Sequence, residues 1–152
     1  VYLWHGGTKA GDVYAAVKEH GYEVRAQIIW VKTSPHFGAF TAHYKQAHES
    51  LLYCVRGDPS WCGPTNDRTI WELPQPRRNE LHPTQKPVEC MEHPIRNHRG
   101  DVYDPFLGSG TTLIACERLN RICYGMEIEP MYCGVAIERW QNFVGKKAQK
   151  VS

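Results

Sequence analysis

The chain has 152 residues, 41% of them hydrophobic and 22% charged, with a formal net charge of +2. This suits one globular domain, residues 1–152, with a modest core, and it excludes a repeat array or a long disordered tail. A charge this small permits nucleic-acid contact without arguing for it, and with no apolar run of membrane-spanning length and no basic, apolar leader, a cytoplasmic protein away from membranes is expected.

Residues 1–4 read as a buried strand, ended by His5-Gly6-Gly7. Residues 12–20 carry Val13, Ala16 and Val17 at helical spacing and stop before Gly21, a suitable C′ residue. Residues 24–32, with Ile28, Ile29, Trp30 and Val31, read as a strand, and residues 50–55 as its neighbour, closed by Arg56-Gly57. Between them, residues 33–49 form a loop with His36, Phe37, Phe40, His43, Tyr44 and His48, side chains suited to stacking on unpaired bases. Residues 57–81 hold many Pro, Asn, Asp and Arg, plus Trp61 and Trp71, with little periodicity. They read as an irregular connection and a second candidate DNA-facing loop, with Arg68, Arg77 and Arg78 either on phosphates or on a solvated loop face.

Two prolines hold His82-Pro83-Thr84-Gln85-Lys86-Pro87 extended, and Val88–Arg96 then reads as a helix despite Pro94. Pro87 at the first turn and Glu89 near the positive end suit that start. Val102-Tyr103-Asp104 is a β-branched and aromatic run that meets an acid, passes Gly108 and Gly110 around Ser109, and enters apolar helical spacing: strand, tight loop, helix. Residues 121–128 read as the next strand. Pro130 then opens a helix with Cys133, Ile137, Trp140 and Val144 on its apolar face and Phe143 beside it, ended by Gly145 before a solvated tail.

Cys54, Cys62, Cys90, Cys116, Cys123 and Cys133 are scattered through these elements, and buried free thiols are expected rather than bridges. His43 and His48 lie near Cys54 and Cys62, but no closely spaced cysteine pair accompanies them, and no metal site is expected.

In open α/β sheets a ligand sits beyond the carboxyl ends of the strands, where a glycine loop lets backbone amides approach closely. The loop here has Leu113 where a dinucleotide fingerprint needs a third small residue, and Gly110-Thr111-Thr112 where a P-loop needs Gly-Lys-Ser/Thr. Glu127, about 20 residues past the loop, is placed to accept hydrogen bonds from ribose hydroxyls. The pattern points to a nucleoside without a pyrophosphate.

Asp104-Pro105-Phe106-Leu107-Gly108-Ser109-Gly110-Thr111-Thr112 resembles motif I of the S-adenosylmethionine-dependent DNA methyltransferases that modify exocyclic amino groups. His82-Pro83-Thr84-Gln85-Lys86-Pro87 resembles their motif X and precedes motif I, as in the permuted β-type members. Gly125-Met126-Glu127, with Pro130 and Tyr132, resembles the ribose-binding segment. The resemblance implies an α/β fold: a three-layer, Rossmann-like methyltransferase sheet, incomplete at its N-terminal side. It implies S-adenosylmethionine as cofactor, DNA as partner and a place in restriction-modification. Asp104 is expected at the methionine amino group or nearby backbone, Phe106 as one wall, and Gly108, Ser109, Gly110 and Thr111 as the loop. Glu127 is expected on the ribose, and His82, Thr84, Gln85 and Lys86 at the methionine end.

The family's catalytic turn, an acidic or amide residue or serine followed by Pro-Pro-aromatic, is not found. Ser34-Pro35-His36-Phe37 is the nearest match, making Ser34, Pro35 and Phe37 weak catalytic candidates. In permuted members this turn precedes the segment equivalent to Val1, so a partial domain is expected. The strands at residues 1–4 and 102–104 then either close directly on each other or receive a strand from another segment or chain. A non-catalytic cofactor- or partner-binding fragment and a His/Cys-rich DNA-binding module are the alternatives.

Overall fold

The computed structural model describes residues 1–33, 43–74 and 85–151. It divides into two compact units, Val1–Gln75 and Pro76–Ser152, each with its own sheet. Among the described residues no helix is long and apolar enough to cross a membrane.

The first unit contains β1 (Tyr2–His5), a 3-10 turn at Gly7–Lys9, α1 (Ala10–Glu19), β2 (Glu23–Lys32), β3 (His48–Val55) and β4 (Ile70–Leu73). The strand order is β1-β3-β2-β4, with β3 antiparallel to both neighbours and β4 parallel to β2. Gly21 ends α1 as expected: its φ is +74°, and the Tyr22 amide reaches back to the Val17 carbonyl at 3.0 Å. Val17, Leu52 and Cys54 form the core beneath α1, with Leu3, Val13, Tyr22 and Val24 packed around them. Trp30, only 1% exposed, donates its indole N–H to the Leu73 carbonyl at 2.9 Å and meets Trp4 edge-to-face. A buried Trp whose one donor is satisfied adds apolar burial without a desolvation penalty.

Two sequence expectations change here. The connection over residues 57–81 is not irregular throughout, because Ile70–Leu73 forms β4 on the edge of β2. Only Trp71 of that strand is buried, so its four residues show no alternation strong enough to read. β3 also begins at His48, so the loop expected over residues 33–49 ends sooner. Residues 34–42, with Ser34, Pro35 and Phe37, lie outside the described residues.

The second unit contains α2 (Val88–Arg96), β5 (Val102–Asp104), α3 (Thr111–Arg118), β6 (Cys123–Gly125) and α4 (Pro130–Val144). β5 and β6 are parallel, with Asp104 opposite Gly125. Ile95, Ala115 and Cys116 form the core where α2 and α3 meet the sheet, with Val88, Met91, Val102, Leu119 and Cys123 against them. Glu92, 6% exposed, is paired with Arg96 and Arg118, so one carboxylate ties α2 to α3.

Within its own unit β1 pairs with β3, and within the other β5 pairs with β6. β6 is shorter than residues 121–128, and past its end the Met126 carbonyl and the Glu127 carboxylate bond the glycine loop. The apolar face expected on α4 holds in part, with Cys133, Trp140 and Val144 half-buried. Ile137 and Phe143 are each 47% exposed, and the buried residue is Ala136. All six cysteines are free thiols: Cys54, Cys90 and Cys116 are buried, Cys123 and Cys133 half-buried, and Cys62 exposed.

Candidate functional site

The loop between β5 and α3 is held at successive peptides. Asp104, the last residue of β5, accepts the Phe106 amide on Oδ1 at 2.9 Å and the Thr112 hydroxyl on Oδ2 at 2.6 Å. One carboxylate thus closes the loop from its first turn to the first turn of α3. The Gly110 amide bonds the Leu107 carbonyl at 3.0 Å, and the Leu107 amide bonds the Met126 carbonyl at 2.9 Å, fixing the loop to the chain leaving β6.

Glu127 completes the enclosure. Its Oε2 accepts the Gly108 amide at 2.7 Å and its Oε1 the Glu129 amide at 2.9 Å. Charge-assisted bonds of this length are among the stronger ones a backbone makes.

The glycines have separate reasons. Gly108 and Gly110 sit at φ +55° and +78°, the left-handed region that costs an ordinary L-residue about 1–2 kcal/mol. A Cβ on Gly110 would also lie 3.0 Å from the Ala136 Cβ on α4. At Gly125 a Cβ would lie 2.6 Å from Leu107 Cδ2, so the loop's one aliphatic side chain occupies the space a larger residue would need.

Of the expected site residues, the structure brings Asp104, Gly108, Ser109, Gly110, Thr111 and Glu127 together around one loop. Phe106, 87% exposed, stands at its outer surface. Gln85 and Lys86 are half-buried just ahead of α2, whereas His82 and Thr84 lie outside the described residues. Sequence reasoning missed Thr112, Ala136 and Arg139. Thr112 was visible only as a hydroxyl eight residues past an acid, on the far side of the glycine loop. Nothing in the apolar periodicity of α4 marked Ala136 or Arg139, whose Nη1 donates to the Ser109 carbonyl and the Thr111 hydroxyl, each at 3.1 Å.

Two half-buried acids beside a loop of left-handed glycines fit a cationic nucleoside better than a phosphate, which those carboxylates would repel. Strand, glycine loop, helix and a second strand followed by an acid define the class: an α/β domain of the methyltransferase fold. The chain belongs to the DNA methylase family of N6 and N4 amino-methyltransferases, whose model matches residues 2–138.

Among relatives, it is 28% identical over 159 residues to the type II methyltransferase M2.DpnII of Streptococcus pneumoniae, covering 90% of this chain and 59% of that protein. It is 29% identical over 143 residues to M.SmaI of Serratia marcescens, covering 82% and 48% respectively. The chain therefore spans roughly half to three-fifths of these relatives. Among solved structures, the M1.HpyAVI–SAM complex superposes with a TM-score of 0.77 at 30% identity, covering 91% of this chain and 72% of that one. The cytosine-N4-specific PvuII DNA methyltransferase, at 18% identity and TM-score 0.68, shows the fold alone.

Proposed function

We propose that this chain carries the S-adenosylmethionine site of a cytoplasmic DNA methyltransferase acting on the exocyclic amino group of adenine or cytosine. The observation that carries the reading is that Asp104, at the end of β5, and Glu127, just beyond β6, both hold the same glycine loop. The Glu127 carboxylate accepts the ribose hydroxyls, and Asp104 with the loop amides faces the methionine amino end. Phe106 covers one side, and Gln85 and Lys86, with His82 and Thr84, close the methionine end. Two negative side chains beside a sulfonium also favour its binding electrostatically. The bound M1.HpyAVI relative, at 30% identity, supports the choice of ligand.

The cofactor supplies an electrophilic sulfonium methyl group. Transfer of that methyl group to the amine nitrogen would leave a neutral thioether and would require the amine to give up one proton. That amine's lone pair is delocalised into the base, so acceptors for its hydrogens and an in-line approach are required. The segment Ser34-Pro35-His36-Phe37 is the weak candidate within this chain, and a segment or second chain completing the sheet is the other source. Residues 33–49 and 57–81 are the candidate DNA-contacting segments, of which 34–42 and 75–81 lie outside the described residues.

Calorimetric titration with S-adenosylmethionine, on the full chain and on Asp104→Ala and Glu127→Ala, tests the site. Binding that both variants retain unchanged would reject the assignment. Transfer of a labelled methyl group to duplex DNA then separates an active enzyme from a cofactor-binding fragment.

A further inference from the structure

The loop's peptide units are held one by one by charged side chains from different elements. Asp104 of β5 fixes the amide of Phe106, and Glu127, beyond β6, fixes that of Gly108. The peptide joining Ser109 to Gly110 has its N–H on the Leu107 carbonyl at 3.0 Å, and its carbonyl oxygen receives Arg139 Nη1 from α4 at 3.1 Å. The same nitrogen reaches the Thr111 hydroxyl at 3.1 Å, with Ser109 Oγ at 3.5 Å.

A peptide next to glycine is the one most prone to flip, because Gly populates both signs of φ at little cost. Flipping this one would turn the Gly110 amide away from its turn and point the Ser109 carbonyl the other way. Ser109 and Thr111 are 5% and 7% exposed, so water is not there to replace the guanidinium. Arg139 lies one turn beyond Ala136, the residue that Gly110 packs against, so α4 presents a close-approach position and a donor on one face. Among the described residues no carboxylate pairs with Arg139; its bonds go to the loop.

We propose that Arg139 is a positioning residue for the cofactor loop: from the α4 side it locks the Ser109–Gly110 peptide and the Thr111 hydroxyl in the conformation that receives the nucleoside. The assignment rests on the S-adenosylmethionine reading above. It makes α4 part of the binding machinery without any contact to the ligand.

The test uses the full chain with Arg139→Met, which keeps the length and loses the donors, and Arg139→Lys, which keeps one charged donor. S-adenosylmethionine affinity is measured by calorimetry, unfolding midpoint without ligand, and the Gly108 and Gly110 amide signals by NMR. The Met variant should bind about tenfold more weakly, the loss of roughly one charge-assisted hydrogen bond. Its two glycine signals should broaden or split, and the Lys variant should recover most of the affinity. Met-variant binding within twofold of the parent, with unmoved glycine signals, would overturn the proposal. So would parallel losses of affinity and unfolding midpoint in both variants, which indicate a purely structural cation. Failure of the parent chain itself to bind would reject the cofactor reading instead, so the two failures are distinguishable.

Discussion

Gly108 donates its backbone N–H to Glu127 Oε2 across 2.7 Å, so the acid beyond one strand holds the loop that follows the other. Any ligand contact by Glu127 is therefore coupled to the shape of the loop. Glu127→Gln keeps an acceptor for one of the two amides and presents its NH₂ to the other. It should lower stability by about 1–2 kcal/mol, the cost of an unmade charged hydrogen bond. S-adenosylmethionine affinity should fall at least as much, and denaturant melts with calorimetry on the same samples read both. Unchanged stability would mean that the Gly108 bond is not formed in solution.

The Thr112 hydroxyl donates to Asp104 at 2.6 Å and Thr112 is 8% exposed. Thr112→Val keeps the shape and removes the donor. It should cost about 1.5–3 kcal/mol, the range for bonds to a charged partner, and weaken cofactor binding although Thr112 need not touch the ligand. Chemical denaturation and calorimetry check it.

Gly110→Ala meets two separate penalties. The φ of +78° costs an L-residue about 1–2 kcal/mol whatever surrounds it, and the new methyl lies 3.0 Å from Ala136 Cβ. Adding Ala136→Gly removes the Cβ contact but leaves the backbone cost and the 3.2 Å approach to the position-136 Cα. The double variant should therefore be more stable than Gly110→Ala after subtracting the effect of Ala136→Gly alone. Strict additivity in that cycle would show that α4 does not press on the loop.

Raising the pH above about 9 should destabilise the fold. Burial raises the pKa of the Cys54 thiol from its ordinary 9.0, and of the Tyr2 phenol from 10.0, where the Tyr53 and Asp67 charges add to it. Below the unfolded values both states are protonated and nothing is lost. Above them only the unfolded chain ionises freely, so stability drains away as pH climbs toward the folded values. Unfolding midpoints between pH 8 and 11 should fall, and Cys54→Ala should flatten the first part of that fall. A thiol reagent at neutral pH should reach Cys62 first, with Cys54, Cys90 and Cys116 reacting only on unfolding.

Much of this architecture was legible because local chemistry and tertiary environment agree. Val88–Arg96 matches its helix at both ends, and the strand, glycine loop and helix from Val102 to Arg118 fall where apolar spacing and small residues place them. β4 was missed because its order comes from pairing with β2, and only Trp71 of its four residues is buried. The inner face of α4 was misread in part, for a related reason. Hydrophobicity favours Ile137 and Phe143, yet close approach to Gly110 demands the small Ala136, and the neighbouring position holds a cation. Glu127 was legible as an acid beyond a strand, but its grip on Gly108 was not, since a carboxylate carries no sequence mark for an amide 19 residues away.

The tight meeting of Leu107 with Gly125 constrains how this domain can drift over generations. A methyl group at position 125 would force Leu107 to swing outward, straining a segment whose own amide is anchored on Met126. Descendants carrying alanine there would have to trim position 107 in the same step or the one before, so the two sites should covary as a pair wherever this loop is inherited.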